Sequence, residues 1–125
     1  MKVIKSRFVL THKFEDVEVD IQAMTPGERN SVADKCLKRT VSRDADGNPS
    51  TNIEYDFQSE RKEIPAMSVI GWRGFEDEEG AEVPFSKENL SMLMEYVDGF
   101  AEFVREKVSE TNAAKAKHDE DLQKN

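Results

Sequence analysis

The chain has 125 residues, 37% hydrophobic and 35% charged, enough for one domain with a modest core. Its formal net charge of −8 disfavours non-specific binding to nucleic acid or to an anionic membrane, because neutralising phosphate needs a basic surface. The single cysteine, Cys36, excludes an internal disulfide and fits a reducing cytoplasm, and no apolar run approaches the roughly 20 residues of a membrane span.

The N-terminus, MKVIKSRFVLTHKF, is basic but lacks both the continuous apolar core and the small-residue cleavage site of a signal peptide. Phe8 and Leu10, then Val17, Val19 and Ile21, alternate with polar residues. That period is the mark of half-buried strands, so residues 4–11 and 16–22 are expected to pair antiparallel across the polar run 12–16. Thr25-Pro26-Gly27-Glu28 then reads as a capping box with proline at the first helical position. Val32, Ala33, Cys36, Leu37 and Val41 recur at three- and four-residue steps, which predicts a helix over 26–41. Cys36 falls on its apolar face as a small core residue rather than a reactive thiol.

Residues 42–52 carry almost no large apolar group and read as a loop or wide turn. Asp44, Asp46 and Asn48 have the spacing of the first three ligands of a calcium-binding loop. Pro49 stands where that loop needs glycine, and Tyr55 where it needs glutamate, so no calcium site is expected. Ile53, Tyr55 and Phe57 alternate with polar residues and predict a third strand over 53–57 that extends the N-terminal hairpin. From 58 to 70 the signals conflict. Charged helix formers precede Pro65, and a short helix ending near Gly71 is expected.

Residues 72–85 read as a hairpin or structured loop that turns at Asp77-Glu78-Glu79-Gly80. Its carboxylates are consecutive and exposed, which suits solvation rather than metal binding. Trp72 is expected in the core against Phe75, Phe85 and the following helix. Ser86 caps that helix, predicted over 87–97, with Leu90, Leu93, Met94 and Val97 as its buried stripe. Asp98-Gly99 makes a break, and Phe100, Phe103, Val104 and Val108 form a second stripe. Beyond Val108 the pattern stops, so 109–125 is expected to be a polar helical or flexible tail. Together these elements predict an α+β fold: a small antiparallel sheet packed against three or four helices, in a single domain over 1–108.

The chain carries little catalytic chemistry. It has no phosphate-binding glycine loop, no CxxC, no HExxH and no Gly-x-Ser-x-Gly turn, and His12 and His118 lie near opposite ends. The expectation is a protein that is not an enzyme and uses neither cofactor nor metal. Its helices carry more apolar residues than one stripe requires. Met92 and Tyr96 are four apart, Phe100 continues at the next four-residue step, and Phe103 lies three further on. Methionine and aromatics suit an adaptable partner-binding surface, so these four are the candidate contact residues.

The run Gly71-Trp72, Gly74-Phe75, Asp77, Gly80, Val83-Pro84-Phe85-Ser86, Glu88-Asn89-Leu90 and Leu93 resembles the tail assembly chaperones of long-tailed bacteriophages, over about a third of the chain. The resemblance implies a protein of the host cytoplasm that is absent from the mature virion. It implies binding to the tape measure protein, which is kept soluble, and recruitment of tail tube protein. The net charge separately leads us to expect no nucleic-acid or membrane partner, and homo-oligomerisation is left open. Two other classes fit the composition. One is a structural head–tail connector or tail completion protein, and the other is an acidic decoy for a basic surface.

Overall fold

The computed structural model describes residues 1–124. In chain order the elements are β1 (Val9–Phe14), β2 (Val17–Gln22), α1 (Pro26–Cys36), β3 (Leu37–Arg43), β4 (Pro49–Tyr55), α2 (Phe57–Ser68), β5 (Val69–Arg73), α3 (Lys87–Tyr96) and α4 (Phe100–Gln123). The fold is α+β, with one three-stranded and one two-stranded antiparallel sheet. Two compact units divide the chain: residues 1–24 with 65–124, and residues 25–64.

In the first unit the strand order is β1-β2-β5. Val17, Val19 and Ile21 of the central strand point inward and are buried, while Glu18 and Asp20 face outward. The outer face is tied by polar cross-strand contacts. Asp20 accepts from Thr11 Oγ1 at 2.6 Å and from the two terminal guanidinium nitrogens of Arg73 at 2.9 and 3.1 Å. The Arg73 hydrogen bond is the main reason the Asp20 carboxyl titrates below its usual range. In β5, Val69 and Trp72 are both buried although they are three residues apart, which plain alternation would put on opposite faces. A bulge resolves this. Asp20 pairs with Gly71 and Ile21 with Val69, leaving Ile70 as the extra, exposed residue.

The strand boundaries depart from expectation at the N-terminus. The first strand starts at Val9 rather than residue 4, and it includes 12–14, which alternation had assigned to the connection. The turn shrinks to Glu15-Asp16, closed by the Phe14–Val17 pair, with Glu15 at φ 53°. The expected helix over 58–70 is present as α2 and passes through Pro65, but its last residues become β5 at Val69. β-branched Val69 pairs with Ile21 on the free edge of β2 instead of extending the helix.

Helix α4 covers the inner face of this sheet. Phe100, Val104, Val108 and Thr111 recur at four-, four- and three-residue steps and are all buried. The segment 109–123 continues α4 without a break at Val108. It is held by polar contacts that hydrophobic periodicity does not register. Met24 donates its backbone N–H to Asn112 Oδ1 at 2.9 Å, and Lys2 exchanges hydrogen bonds with Gln123 and the Leu122 carbonyl. His118 stacks obliquely on Phe8, ring centroids 5.3 Å apart. His12 Nε2 lies 2.8 Å from Thr111 Oγ1, whose own proton goes to the Lys107 carbonyl at 2.7 Å. The hydroxyl therefore accepts, and Nε2 carries the proton that His12 donates.

The second unit, residues 25–64, begins with α1. Its capping box is complete: Thr25 Oγ1 accepts from Glu28 N at 3.1 Å, and Glu28 Oε1 accepts from Thr25 N at 2.9 Å. The helix ends at Cys36, not at residue 41, because Leu37 turns to an extended conformation (φ −85°, ψ 122°). Residues 37–43 then form β3, which pairs along its length with β4. Three of the positions counted towards a helical face, Ala33, Leu37 and Val41, are exposed, and only Val32 and Cys36 are buried. The region 42–52 is thus mostly strand. The loop contracts to a tight turn in which Asp44 Oδ1 accepts from the N–H groups of Asp46 and Asn48, both at 2.9 Å. That carboxylate caps its own turn. The strand expected at 53–57 exists as β4, but it pairs with β3 in a separate sheet instead of extending the N-terminal hairpin.

Burial, and secondarily the Lys107 charge, hold the His12 imidazole below its ordinary pKa of 6.5, with Glu110 opposing. The unfolded chain therefore takes up this proton first as pH falls. The stability due to neutral His12 is complete above pH about 6.5 and is lost as pH drops towards the lowered folded value. Urea midpoints measured from pH 7.5 to 5 should fall in this window, and a His12→Gln variant should show a flatter profile. Parallel profiles for the two would mean that His12 does not contribute.

Candidate interaction surface

The segment that leads into α3 is assembled around Trp72. Its indole Nε1 donates to the Val83 carbonyl at 2.8 Å, and its ring meets Phe75 and Phe85 edge-on, at 5.7 and 4.9 Å. Between them the chain turns at Asp77, whose carboxylate accepts from the N–H groups of Glu79 and Ala81, both at 2.9 Å, with Gly80 at φ 83°. The loop closes through Val83 N–H to the Phe75 carbonyl at 2.8 Å. Pro84 and Phe85 then deliver the chain to Ser86, whose hydroxyl accepts from Asn89 N at 3.0 Å, while Asn89 Nδ2 returns to the Pro84 carbonyl at 2.9 Å. Ser86 thus satisfies one free N–H of the first helical turn, and the Asn89 side chain ties the approaching chain to that turn.

On α3, Leu90 and Leu93 are buried at 2% and 4% exposure, while Met92 and Tyr96 stand out at 36% and 75%. Phe85 is also exposed, at 37%. The four residues expected to form one row therefore divide. Phe100 has no accessible surface, and Phe103 is half-buried, 5.0 Å from the Phe14 ring. The reason is the break between the helices. Val97 is extended and Gly99 takes φ 78°, so a four-residue step from 96 to 100 crosses from one helix axis to another. Side-chain rows persist only along a continuous helix. Phe100 instead sits in the core, with Phe14 at 5.4 Å and Phe75 at 5.2 Å.

A second apolar surface lies in residues 25–64, where Leu37 and Val41 were expected on a helix and Ile53 and Phe57 on a strand; Phe57 is instead the first residue of α2. Val41, Ile53 and Phe57 are 70%, 62% and 64% exposed, and Leu37 lies at the margin. The strand alternation of Ile53, Tyr55 and Phe57 was the one sequence signal that pointed to it. At the base of this hairpin, Tyr55 Oη donates to the Glu60 carboxylate, which chiefly raises the phenol to about 12. Asp56 accepts from the Ser59 hydroxyl and N–H and pairs with Lys38, which holds it down at about 2. Lys38, Glu54, Tyr55, Asp56 and Gln58 line a shallow cleft of about 360 Å³. Cys36 is buried, and burial pushes its thiol up, away from nucleophilic thiolate. Among the described residues no group of three or more His, Cys, Asp or Glu side chains is placed to hold a metal ion, and no helix is long and apolar enough to cross a membrane.

Compared with known families, residues 29–125 match the family described as YdaY prophage protein. No curated protein and no solved structure matches the chain.

Trp72 fills the centre of the α3 approach, so Trp72→Ala should cost about 3–5 kcal/mol in urea unfolding. Trp72→Phe keeps a ring but frees the Val83 carbonyl and should cost roughly 1–3 kcal/mol. Equal midpoints for Trp72→Ala and the parent would show that the ring cluster does not carry the unit's stability.

Proposed function

The chain belongs to the YdaY prophage protein family, and on that premise we propose that it is a phage tail assembly chaperone. In this reading it binds the tape measure protein, keeps it soluble and helps recruit tail tube subunits. The observation that carries the proposal is the exposed pair Met92 and Tyr96 on α3, which follows directly on the Val83-Pro84-Phe85-Ser86 motif that resembles such chaperones. A long helix with an apolar stripe aggregates unless that stripe is covered. Methionine and tyrosine are suited to the task. The flexible thioether adapts to irregular partners, and the phenol offers a large apolar face with a polar edge. The net charge of −8 keeps a complex dispersed.

The mechanism is reversible covering rather than chemistry. The protein acts without cofactor or metal in the host cytoplasm and is released before the virion is complete. Phe100, buried at the start of α4 against Phe14 and Phe75, fixes the chain just beyond the end of α3.

Co-expression with the tape measure protein of the same phage tests the proposal. The unmodified chain should raise the soluble fraction of that partner. A Met92→Asp, Tyr96→Asp double variant should lose the effect while melting close to the parent, since substitutions at exposed positions usually cost within about 0.5 kcal/mol each. Phe100→Asp should unfold the protein and serves as the contrast. A parent chain that solubilises no tail component would sink the chaperone reading, and recovery of the protein from purified particles would favour the structural connector.

A further inference from the structure

The β3–β4 hairpin is an exposed two-stranded ribbon, with only Tyr55 half-buried. Isolated ribbons of this kind are marginal in water unless a further layer covers them. The register pairs Leu37 with Tyr55, Arg39 with Ile53, Val41 with Thr51 and Arg43 with Pro49. Residues opposite one another share a face, and alternate residues along a strand share it too. One face therefore carries Leu37, Val41, Ile53 and Tyr55, with Arg39, Arg43, Pro49 and Thr51 among them. The other carries Lys38, Thr40, Ser42, Ser50, Asn52 and Glu54, all polar. Phe57 extends the apolar face at its base, its ring 4.8 Å from that of Tyr55. The apolar face holds two guanidinium groups and no carboxylate in a chain whose net charge is −8. Arg43 is steadied by a hydrogen bond to the Gly47 carbonyl at 2.9 Å, and the Glu60 carboxylate near the base is occupied by the Tyr55 hydroxyl.

We propose that this face docks an acidic amphipathic helix of another polypeptide. Dimensions select a helix. Two strands span roughly 10 Å with their side chains, about one helix diameter, and seven residues extend about 24 Å, the length of about 16 helical residues. A strand added at the ribbon's edge would leave the apolar face bare. The footprint, on the order of 250 Å², is well short of the roughly 800 Å² per partner of a standard interface, which disfavours a second copy of this chain. Charge selects acidic residues. Arg39 and Arg43 lie about 14 Å apart along the strand, between two and three helical turns, so carboxylates recurring every three or four residues along one edge of an apolar stripe would meet both. An anionic bilayer is disfavoured by the overall charge and by Asp44 and Asp46 in the turn at the ribbon's tip. The surface lies within residues 25–64 and is independent of the one on α3.

The test uses the full chain and two labelled 16-residue amphipathic helical peptides with the same apolar stripe, one flanked by glutamates and one by lysines. By fluorescence anisotropy the glutamate peptide should bind at least about tenfold more tightly. Arg39→Glu should invert the order, and Ile53→Lys should abolish binding of both. Each side chain is exposed, and circular dichroism melts verify that the variants stay folded. Absence of binding, equal affinity for the two peptides, or indifference to Arg39→Glu overturns the proposal. So does sedimentation of phosphatidylglycerol vesicles with the chain that Ile53→Lys prevents, which assigns the face to a membrane. A dimer in analytical ultracentrifugation that Ile53→Lys dissolves assigns it to a second copy and equally overturns the proposal.

Discussion

Phe100 is the point on which the first unit converges. It has no accessible surface, and rings from β1, from the turn after β5 and from α4 itself meet it: Phe14, Phe75 and Phe103. Through Phe75 it is joined to Trp72, and through Trp72 to Phe85 at the entrance to α3. Edge-to-face aromatic contacts add to the area they bury and also fix angles between the elements that carry them. The left-handed turn at Gly99 lets α4 begin with a buried aromatic directly after α3 has ended. Without that turn Phe100 would lie on the α3 surface and the sheet would lack its central partner.

The same break shows where sequence reasoning ran out. Local capping signals were legible. Thr25 with Glu28, and Ser86 before Lys87, start helices where their side chains accept the expected hydrogen bonds. The strand character of Val17, Val19 and Ile21 was legible because one face is buried and the other wet. The extent of α1 was not, because Val41 continues a helical spacing by coincidence while pairing with Thr51 in a strand. Periodicity cannot separate the two when a strand is exposed on both faces. The apolar surface of α3 was legible at Met92 and Tyr96 but was carried too far along the chain. The step to Phe100 assumed one helix axis, and only the backbone reveals the change of axis. Of the hairpin surface only the alternation of Ile53, Tyr55 and Phe57 was legible, since exposure of Val41 and Ile53 is a property of the fold.

The two units rely on different forces. In residues 1–24 with 65–124, aromatic and β-branched side chains fill a space between a sheet and a helix. In residues 25–64, buried apolar groups are few, chiefly Val32 and Cys36. Ion pairs and short polar contacts take up the work, such as Lys35 with Glu63 at 3.4 Å and Lys38 with Asp56 at 3.3 Å. Exposed pairs of this kind contribute at most about 1 kcal/mol each. Such a unit has a small core relative to its surface.

Helix α4 holds its two halves by different means, and this sets a gradient of local opening along a single rod. The first half, around Phe100, Val104 and Val108, leaves the sheet only by exposing apolar surface. The far end, from Asn112 to Gln123, is tethered by hydrogen bonds to Met24 and Lys2 that water replaces at little net cost. Its last turns therefore separate from the sheet without disturbing the aromatic cluster. Backbone amides near Leu122 should trade hydrogen for deuterium orders of magnitude faster than those near Val108, although both belong to one unbroken helix.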